Sequence, residues 1–312
     1  MAAKKKIEKI NIQDLVKKAQ GRFSGKDAAK MSSRMSTGSE IVMSKDPDDY
    51  IAMPDFWGML TGTMGIPFGR IAQFAGKPDA GKSTAAMLAM KAAQEKDVIV
   101  ILWDTEGKFD SARFRDRMGG DPGDIPVAPS KNITEGVQQV VAYIKAIKEM
   151  KPDQKVLVVW DSVGASINTT EDDEENDDYS KQPGVTAKQV SWAIRRFNQL
   201  MEKTRTDDGT YTMAVLCVNQ VYANIGSVGT KQKGGAELEY LCSIIIELSR
   251  KQTLTRVRQK QKIKYGIKSV ARVKKNHLFG GEDCIAELDL IVTASGIELA
   301  DKVKETDLIE EE

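Results

Sequence analysis

The chain has 312 residues and a formal net charge of +1, and 41% of it is hydrophobic, which is enough for a sizeable core and excludes wholesale disorder. No apolar run approaches the ~18 residues a membrane helix needs, and the basic start Met1-Ala2-Ala3-Lys4-Lys5-Lys6 leads into no secretory apolar region, so a cytoplasmic protein with no membrane partner is expected. Three widely spaced cysteines in apolar stretches (Cys217, Cys242, Cys284) read as reduced core thiols, and a single histidine, His277, argues against a histidine metal centre or a His-dependent triad.

Residues 7–22 predict a short amphipathic helix with Asn11 as N-cap and Ile12, Leu15, Val16 and Ala19 at helical spacing. It belongs to an N-terminal segment, residues 1–30, that holds nine Lys/Arg against three acids. Residues 31–50 read as a linker. Residues 51–298 then read as one core: apolar runs (Ile71–Ala75, Val98–Trp103, Val156–Trp160, Met213–Val218, Ile244–Leu248) alternate with helical patterns (Ser83–Lys96, Ile133–Met150, Thr186–Lys203). Continuous apolar runs mean strands buried on both faces, and their alternation with helices means an α/β fold with a mainly parallel sheet. Past residue 250 the pattern changes to alternating strands, Lys268–Lys275 and Cys284–Val292 joined through Gly280-Gly281, which predicts an antiparallel extension. Residues 299–312 form an acidic tail.

Charge is segregated along this layout. Residues 171–178 read Glu-Asp-Asp-Glu-Glu-Asn-Asp-Asp, and Arg250 to Lys275 holds eleven Lys/Arg and no acid. The basic stretch is interleaved with apolar residues, so it is expected to be folded, and a folded basic face suits phosphate or nucleic acid.

Gly76-Lys77-Pro78-Asp79-Ala80-Gly81-Lys82-Ser83 fits GxxxxGK[ST] between a predicted strand and a predicted helix, with Thr84 next. Glycines let consecutive N–H groups turn toward an anion, and the helix N-terminus adds partial positive charge. Lys82 is placed to reach β- and γ-phosphates, and the Ser83 hydroxyl to ligate Mg²⁺, so ATP with Mg²⁺ is the expected cofactor. Val156–Trp160 ends in Asp161, a carboxylate at the C-terminal edge of the sheet that would hold the metal with Ser83. Asp104-Thr105-Glu106 follows another strand; Glu106 is the candidate to polarise an attacking water, with Asp104 as its competitor. Met213–Val218 leads into Asn219-Gln220, an amide placed to sense the γ-phosphate. Beyond it lies a long, glycine-rich, basic loop whose Asn224, Gly226, Ser227, Gly229, Thr230, Lys231, Lys233, Gly234 and Gly235 suit a phosphate backbone.

The order of these features resembles the RecA-type recombinases, including phage-encoded UvsX-like members. Gly69-Arg70-Ile71, Trp160-Asp161-Ser162-Val163, Asn219-Gln220-Val221, Gly234-Gly235-Ala236-Glu237-Leu238 and Lys274-Lys275-Asn276 carry the likeness, which runs from about Asp55 to Ile297. The resemblance implies a RecA-like phosphate-loop ATPase core with a small N-terminal helix that packs on the next subunit. It implies Lys82, Ser83 and Thr84 on phosphates and Mg²⁺, Glu106 as catalytic glutamate, Asp110 near the adenine, and Gln220 coupling the γ-phosphate to a second DNA loop at about 221–236. A first DNA loop falls within about 164–187, and Lys275 reaches the ATP of a neighbouring subunit. The activity implied is DNA-stimulated ATP hydrolysis by a filament that pairs single-stranded DNA with a homologous duplex, aided by mediator or single-strand-binding proteins.

Departures modify the expectation. His277 stands where bacterial members carry a second lysine. The acidic run would be repelled by DNA, leaving Lys181 or Lys188 as first-loop contacts. Only fifteen residues follow Ile297, so no C-terminal duplex-capture domain is expected. The alternative is a RecA-fold hexameric motor such as a replicative helicase, for which Arg272 or Arg256 would serve as a trans arginine finger. A non-enzymatic regulator fits least, because Lys82, Asp161 and Glu106 are all present.

Overall fold

The computed structural model describes residues 12–20, 22, 46–168, 184–223, 230–232, 235–278 and 284–303. Asn11, most of the linker, the acidic run, the Gly280-Gly281 connection and the end of the acidic tail lie outside the described residues. Of the predicted N-terminal helix, Ile12–Gln20 (α1) is described, and its Leu15 is half exposed.

The described part of the core begins just before residue 50. A turn at Pro47–Asp49 enters β1 (Tyr50–Ala52), which pairs with β2 (Gly65–Pro67) around α2 (Asp55–Thr61). Lys96 donates to the Pro47 carbonyl at 2.6 Å and Lys155 donates to that of Asp48, so this end of the expected linker is tied to the core.

The apolar runs form the strands. β3 (Ile71–Gly76), β4 (Ile99–Asp104), β5 (Val127–Ala128), β6 (Val156–Asp161), β7 (Met213–Ala223) and β9 (Ile244–Arg258) lie parallel in the order β9-β3-β7-β6-β4-β5, and β8 (Thr230–Gln232) pairs antiparallel with β7. β10 (Gln261–Asn276), β11 (Glu287–Thr293) and β12 (Ile297–Leu299) extend the sheet antiparallel beyond β9.

Helices cover both faces, as buried parallel strands require. One apolar layer packs α2 and α3 (Lys82–Gln94) on alternate strand residues such as Phe74, Leu102 and Leu216. The other packs α5 (Ile133–Met150) and α6 (Val185–Lys203) on Ile71, Trp103 and Trp160; α4 (Ser111–Asp116) follows β4. Trp103 and Trp160, cross-strand partners, stack with centroids 4.1 Å apart, and Phe197 of α6 meets both edge-on. A Cβ on Gly136 would fall 2.2 Å from the Trp103 ring, so only glycine lets α5 approach this closely. Asn132 caps α5 by accepting from the N–H groups of Thr134 and Glu135.

Three expectations are corrected. The Ile244–Leu248 strand continues to Arg258, and the predicted Lys268–Lys275 strand begins at Gln261, because the basic stretch folds back on itself as one long hairpin. The strand expected from Cys284 starts at Glu287, where pairing with Arg272 begins. Cys284 therefore lies ahead of the strand and is half buried, whereas Cys217 and Cys242 are core thiols as expected.

Candidate functional site

Parallel register brings the polar ends of the central strands to one edge. Gly76 stands opposite Gln220, and Asp104 opposite Asp161. The segment from Gly76 to Ser83 leaves this edge and curls into α3. Gly81, the residue before the helix, has φ of 100°, and a Cβ on Gly76 would lie 2.2 Å from the Leu248 carbonyl oxygen of β9. Asp79 also takes a positive φ, 57°. Lys77, Pro78 and Asp79 are exposed, whereas Ala80 is buried and its carbonyl accepts from Ser269 Oγ at 3.0 Å.

Lys82 is buried, and its Nζ folds back over the loop to the Lys77 carbonyl at 2.7 Å. Burial pulls its pKa down, while Asp161, Glu106 and Asp79 pull it up; burial wins. A buried ammonium held by one carbonyl over a curled loop is the donor arrangement a polyphosphate fits. Thr84 accepts from Arg113 Nη2 at 2.9 Å.

Asp161 faces Ser83. Burial raises its carboxyl to about 6, against the opposing Ser83 hydrogen bond. A carboxylate and a hydroxyl side by side are hard oxygen donors, and Mg²⁺ is commonly held by one or two carboxylates plus substrate phosphates. Among the described residues no cluster of three or more His, Cys, Asp or Glu could hold a metal.

The raised pKa has a measurable consequence. Folded Asp161 binds its proton more tightly than the unfolded chain, so stability of the nucleotide-free protein falls as pH rises from the ordinary value of 3.8 to about 6. At 1.36 kcal/mol per pH unit the loss is about 3 kcal/mol at pH 7. Asp161→Asn is expected to melt above the parent at pH 7 without nucleotide, the gap closing toward pH 4. Thermal melts across this range check it; a constant gap would show that Asp161 is not the titrating group.

Asp104 and Glu106 have separate jobs. Asp104 Oδ1 accepts from the N–H groups of Glu106, Gly107 and Lys108, and Oδ2 from that of Phe109 at 3.0 Å. Its oxygens are thus committed to shaping the loop. Glu106 Oε1 accepts from Ser162 Oγ at 2.7 Å and Gln220 Nε2 at 3.1 Å, and Oε2 pairs with Lys108 Nζ at 2.7 Å. Burial pushes the Glu106 carboxyl up, but the hydrogen bonds from Lys108, Ser162 and Gln220 together hold it below its ordinary value, so it is ionised at neutral pH. A cavity of about 70 Å³ opens between Ser83, Asp104, Glu106, Lys108 and Asp161.

Sequence reasoning missed the groups that lock these parts. Thr105, buried, donates to the Ser162 carbonyl at 2.8 Å and accepts the Ser162 N–H at 2.9 Å, stitching the ends of β4 and β6. Their positions just past strand ends were the available signal. Arg113 donates to Thr84 and to the Thr293 and Ala294 carbonyls, and with Tyr265 lines a 360 Å³ cavity on the far side of the phosphate loop. Asp110 caps the helix bearing Arg113, accepting the Arg113 N–H at 2.8 Å.

The remaining candidates lie apart from this cluster. Lys275 donates to the Glu239 and Tyr240 carbonyls at 2.6 and 2.7 Å, closing the C-terminus of α7 (Gly235–Leu241). Lys188 is exposed on the first turn of α6, where Ala187 abuts Gly235: a Cβ on Gly235 would lie 3.0 Å from the Ala187 Cβ. Asn168 Nδ2 donates to Thr186 Oγ1 at 2.9 Å, so the chain flanking residues 169–183 closes at the N-terminus of α6. Thr230 and Lys231 lie in β8, paired with Ala223 and Tyr222. Lys181, Asn224, Gly226, Ser227, Gly229, Lys233 and Gly234 lie outside the described residues.

A parallel sheet with a phosphate loop, a metal-suited Ser–Asp pair and a carboxylate over the same edge defines the phosphate-loop nucleotide-binding class. Within that class the chain belongs to the RecA family: the model of the RecA N-terminal domain matches residues 56–297. Curated relatives agree. The chain is 28% identical over 218 residues to Protein RecA of Mycoplasma pneumoniae, covering 69% of this chain and 59% of that one. It is 26% identical over 249 residues to Protein RecA of Nitratidesulfovibrio vulgaris (77% and 64%) and 28% over 230 residues to that of Synechocystis (73% and 59%). The matches thus span about three fifths of these relatives' length. No described helix is long and apolar enough to cross a membrane.

Proposed function

We propose that the chain is an ATP-dependent DNA recombinase of the cytoplasm, which polymerises on single-stranded DNA, pairs it with homologous duplex and hydrolyses ATP when bound to DNA. The observation that carries this reading is the 3.1 Å hydrogen bond between Gln220 and Glu106. Gln220 sits on β7, the strand that runs on into the glycine-rich loop, so one side chain touches both the hydrolytic carboxylate and the strand feeding the DNA segment.

In this mechanism Lys82 and the phosphate-loop amides hold the triphosphate, and Arg113 and Tyr265 border the cavity for the nucleoside. Ser83 and Asp161 would hold Mg²⁺, which neutralises phosphate charge when bound. Glu106 orients and deprotonates the attacking water, positioned by Ser162. Gln220 exchanges Glu106 for a phosphate oxygen and passes that change along β7. Lys275 and α1 belong to subunit contacts in the filament, and mediator or single-strand-binding proteins would load it.

The test is ATP turnover with and without single-stranded DNA, with the same samples imaged by negative-stain electron microscopy. Strong stimulation with open filaments is expected. DNA-independent turnover by closed rings would replace this reading with a hexameric motor.

A further inference from the structure

Glu106 is clasped from two sides, and the clasps differ in kind. Oε1 takes its hydrogen bonds from Ser162 and Gln220, side chains rooted just past β6 and in β7. Oε2 is held by Lys108 Nζ, from the same loop as Glu106 itself. Gly107 turns the backbone between the two with φ of 63°. The N–H groups of Glu106, Gly107 and Lys108 all bond to Asp104 Oδ1, so the backbone of this loop is fixed.

The lysine side chain is not fixed. It is 76% exposed, against 19% for that of Glu106. Among the described residues its ammonium bonds only to Glu106. A pair with one partner so exposed is held weakly, because water screens it and a long stem must be ordered to make it. Of the three donors on Glu106, Lys108 can therefore leave with the least rearrangement.

What would draw it away enters through the same cavity. The described residues lining that cavity include three carboxylates, Asp104, Glu106 and Asp161, and one cation, Lys108. Ser83 and Asp161, the pair suited to Mg²⁺, line it too, so a terminal phosphate held there arrives beside Glu106. Two anions brought together in a partly buried site repel each other, and a cation between them relieves the repulsion. Lys108 is charged at neutral pH: its hydrogen bond to Glu106 and the Glu106 charge, then those of Asp161 and Asp104, raise its pKa. A terminal phosphate offers an ammonium more negative charge than a carboxylate does. A diphosphate leaves that position empty, and Lys108 then stays on Glu106.

We propose that Lys108 is a specificity-determining residue for the triphosphate: its ammonium exchanges Glu106 Oε2 for an oxygen of the terminal phosphate, which separates ATP from ADP and uncovers the carboxylate oxygen in one movement. This rests on the ATP site proposed above.

The test compares the full chain with Lys108→Met and Lys108→Arg, with melts to confirm folding. Binding of ADP and of the non-hydrolysable β,γ-imido analogue of ATP is measured by displacement of a fluorescent nucleotide, with Mg²⁺ and without DNA. Lys108→Met keeps the stem and removes the charge. It is expected to weaken the triphosphate analogue about tenfold, the scale of one hydrogen bond to a charged group, and ADP by less than about twofold. Lys108→Arg keeps the charge and is expected to retain the parental preference. An unchanged preference in Lys108→Met overturns the proposal, and faster turnover beside it would make Lys108 only a brake on Glu106. Equal weakening of both nucleotides also overturns it, because the contact would then lie on a phosphate that the two share. A parent that binds neither nucleotide removes the ATP-site reading and the role of Lys108 with it. A parent that binds both, with a variant that keeps its preference, removes the role of Lys108 alone.

Discussion

Replacing Lys82 with alanine is expected to reduce ATP turnover to background, a loss of at least about a thousandfold, and to remove the rise in melting temperature that ATP gives the parent. Lys82 is the one buried cation of the phosphate loop, and its ammonium already lies over the loop's concave side against the Lys77 carbonyl. Removing one preorganised donor from a water-poor site costs about 10²–10³ in rate; here a full charge and the triphosphate's own binding go with it. The fold should survive, because burial already disfavours the charged lysine. Turnover assays and melts with and without ATP check this. Retained hydrolysis would mean that the Gly76–Ser83 loop does not hold the phosphates.

Glu106→Gln is expected to separate binding from chemistry. Glutamine keeps a carbonyl oxygen for the Gln220 amide and a side chain that Ser162 can bond, but it cannot take a proton. General-base loss lowers the rate by about 10²–10⁴. The lost ion pair to Lys108 lies at an exposed lysine, where such pairs contribute about 0–1 kcal/mol, so stability should barely move. ATP should still raise the melting temperature as in the parent, and the variant should stay on single-stranded DNA after the parent has released it. The contrast with Lys82→Ala, which loses both binding and turnover, is the informative result. Normal hydrolysis by Glu106→Gln would place the base elsewhere.

The sheet was legible because strands buried on both faces must be continuously apolar, and five such runs stand out. Their ends were legible for the same reason: Asp104, Asp161 and Asn219-Gln220 are the first polar groups after each run, and parallel register gathers them at one edge. The choice between Asp104 and Glu106 was not legible. Four backbone N–H groups converge on Asp104, which favours Glu106 for the role, and loop conformation brings them there. The stitching by Thr105 and Ser162 depends on two strands distant in sequence lying side by side. The β1–β2 pair, α2 and β12 were missed because three-residue strands and a seven-residue helix are too short to show a period. The basic stretch was read as folded, but its turn at Gln259-Lys260 carries none of the glycine, asparagine or aspartate that announces a hairpin.

The amide of Gln220 has one consequence that reaches beyond the pocket. On the proposed mechanism the Gln220 amide swings from Glu106 to a phosphate oxygen, and that exchange works as an interlock: whatever captures the amide releases a lone pair on the carboxylate and tugs on β7 in a single event. Firing and gripping then cannot fall out of step, because both are read from one contact. Such a machine would need no messenger between its engine and its clutch, and its fidelity in time would rest on a bond 3.1 Å long.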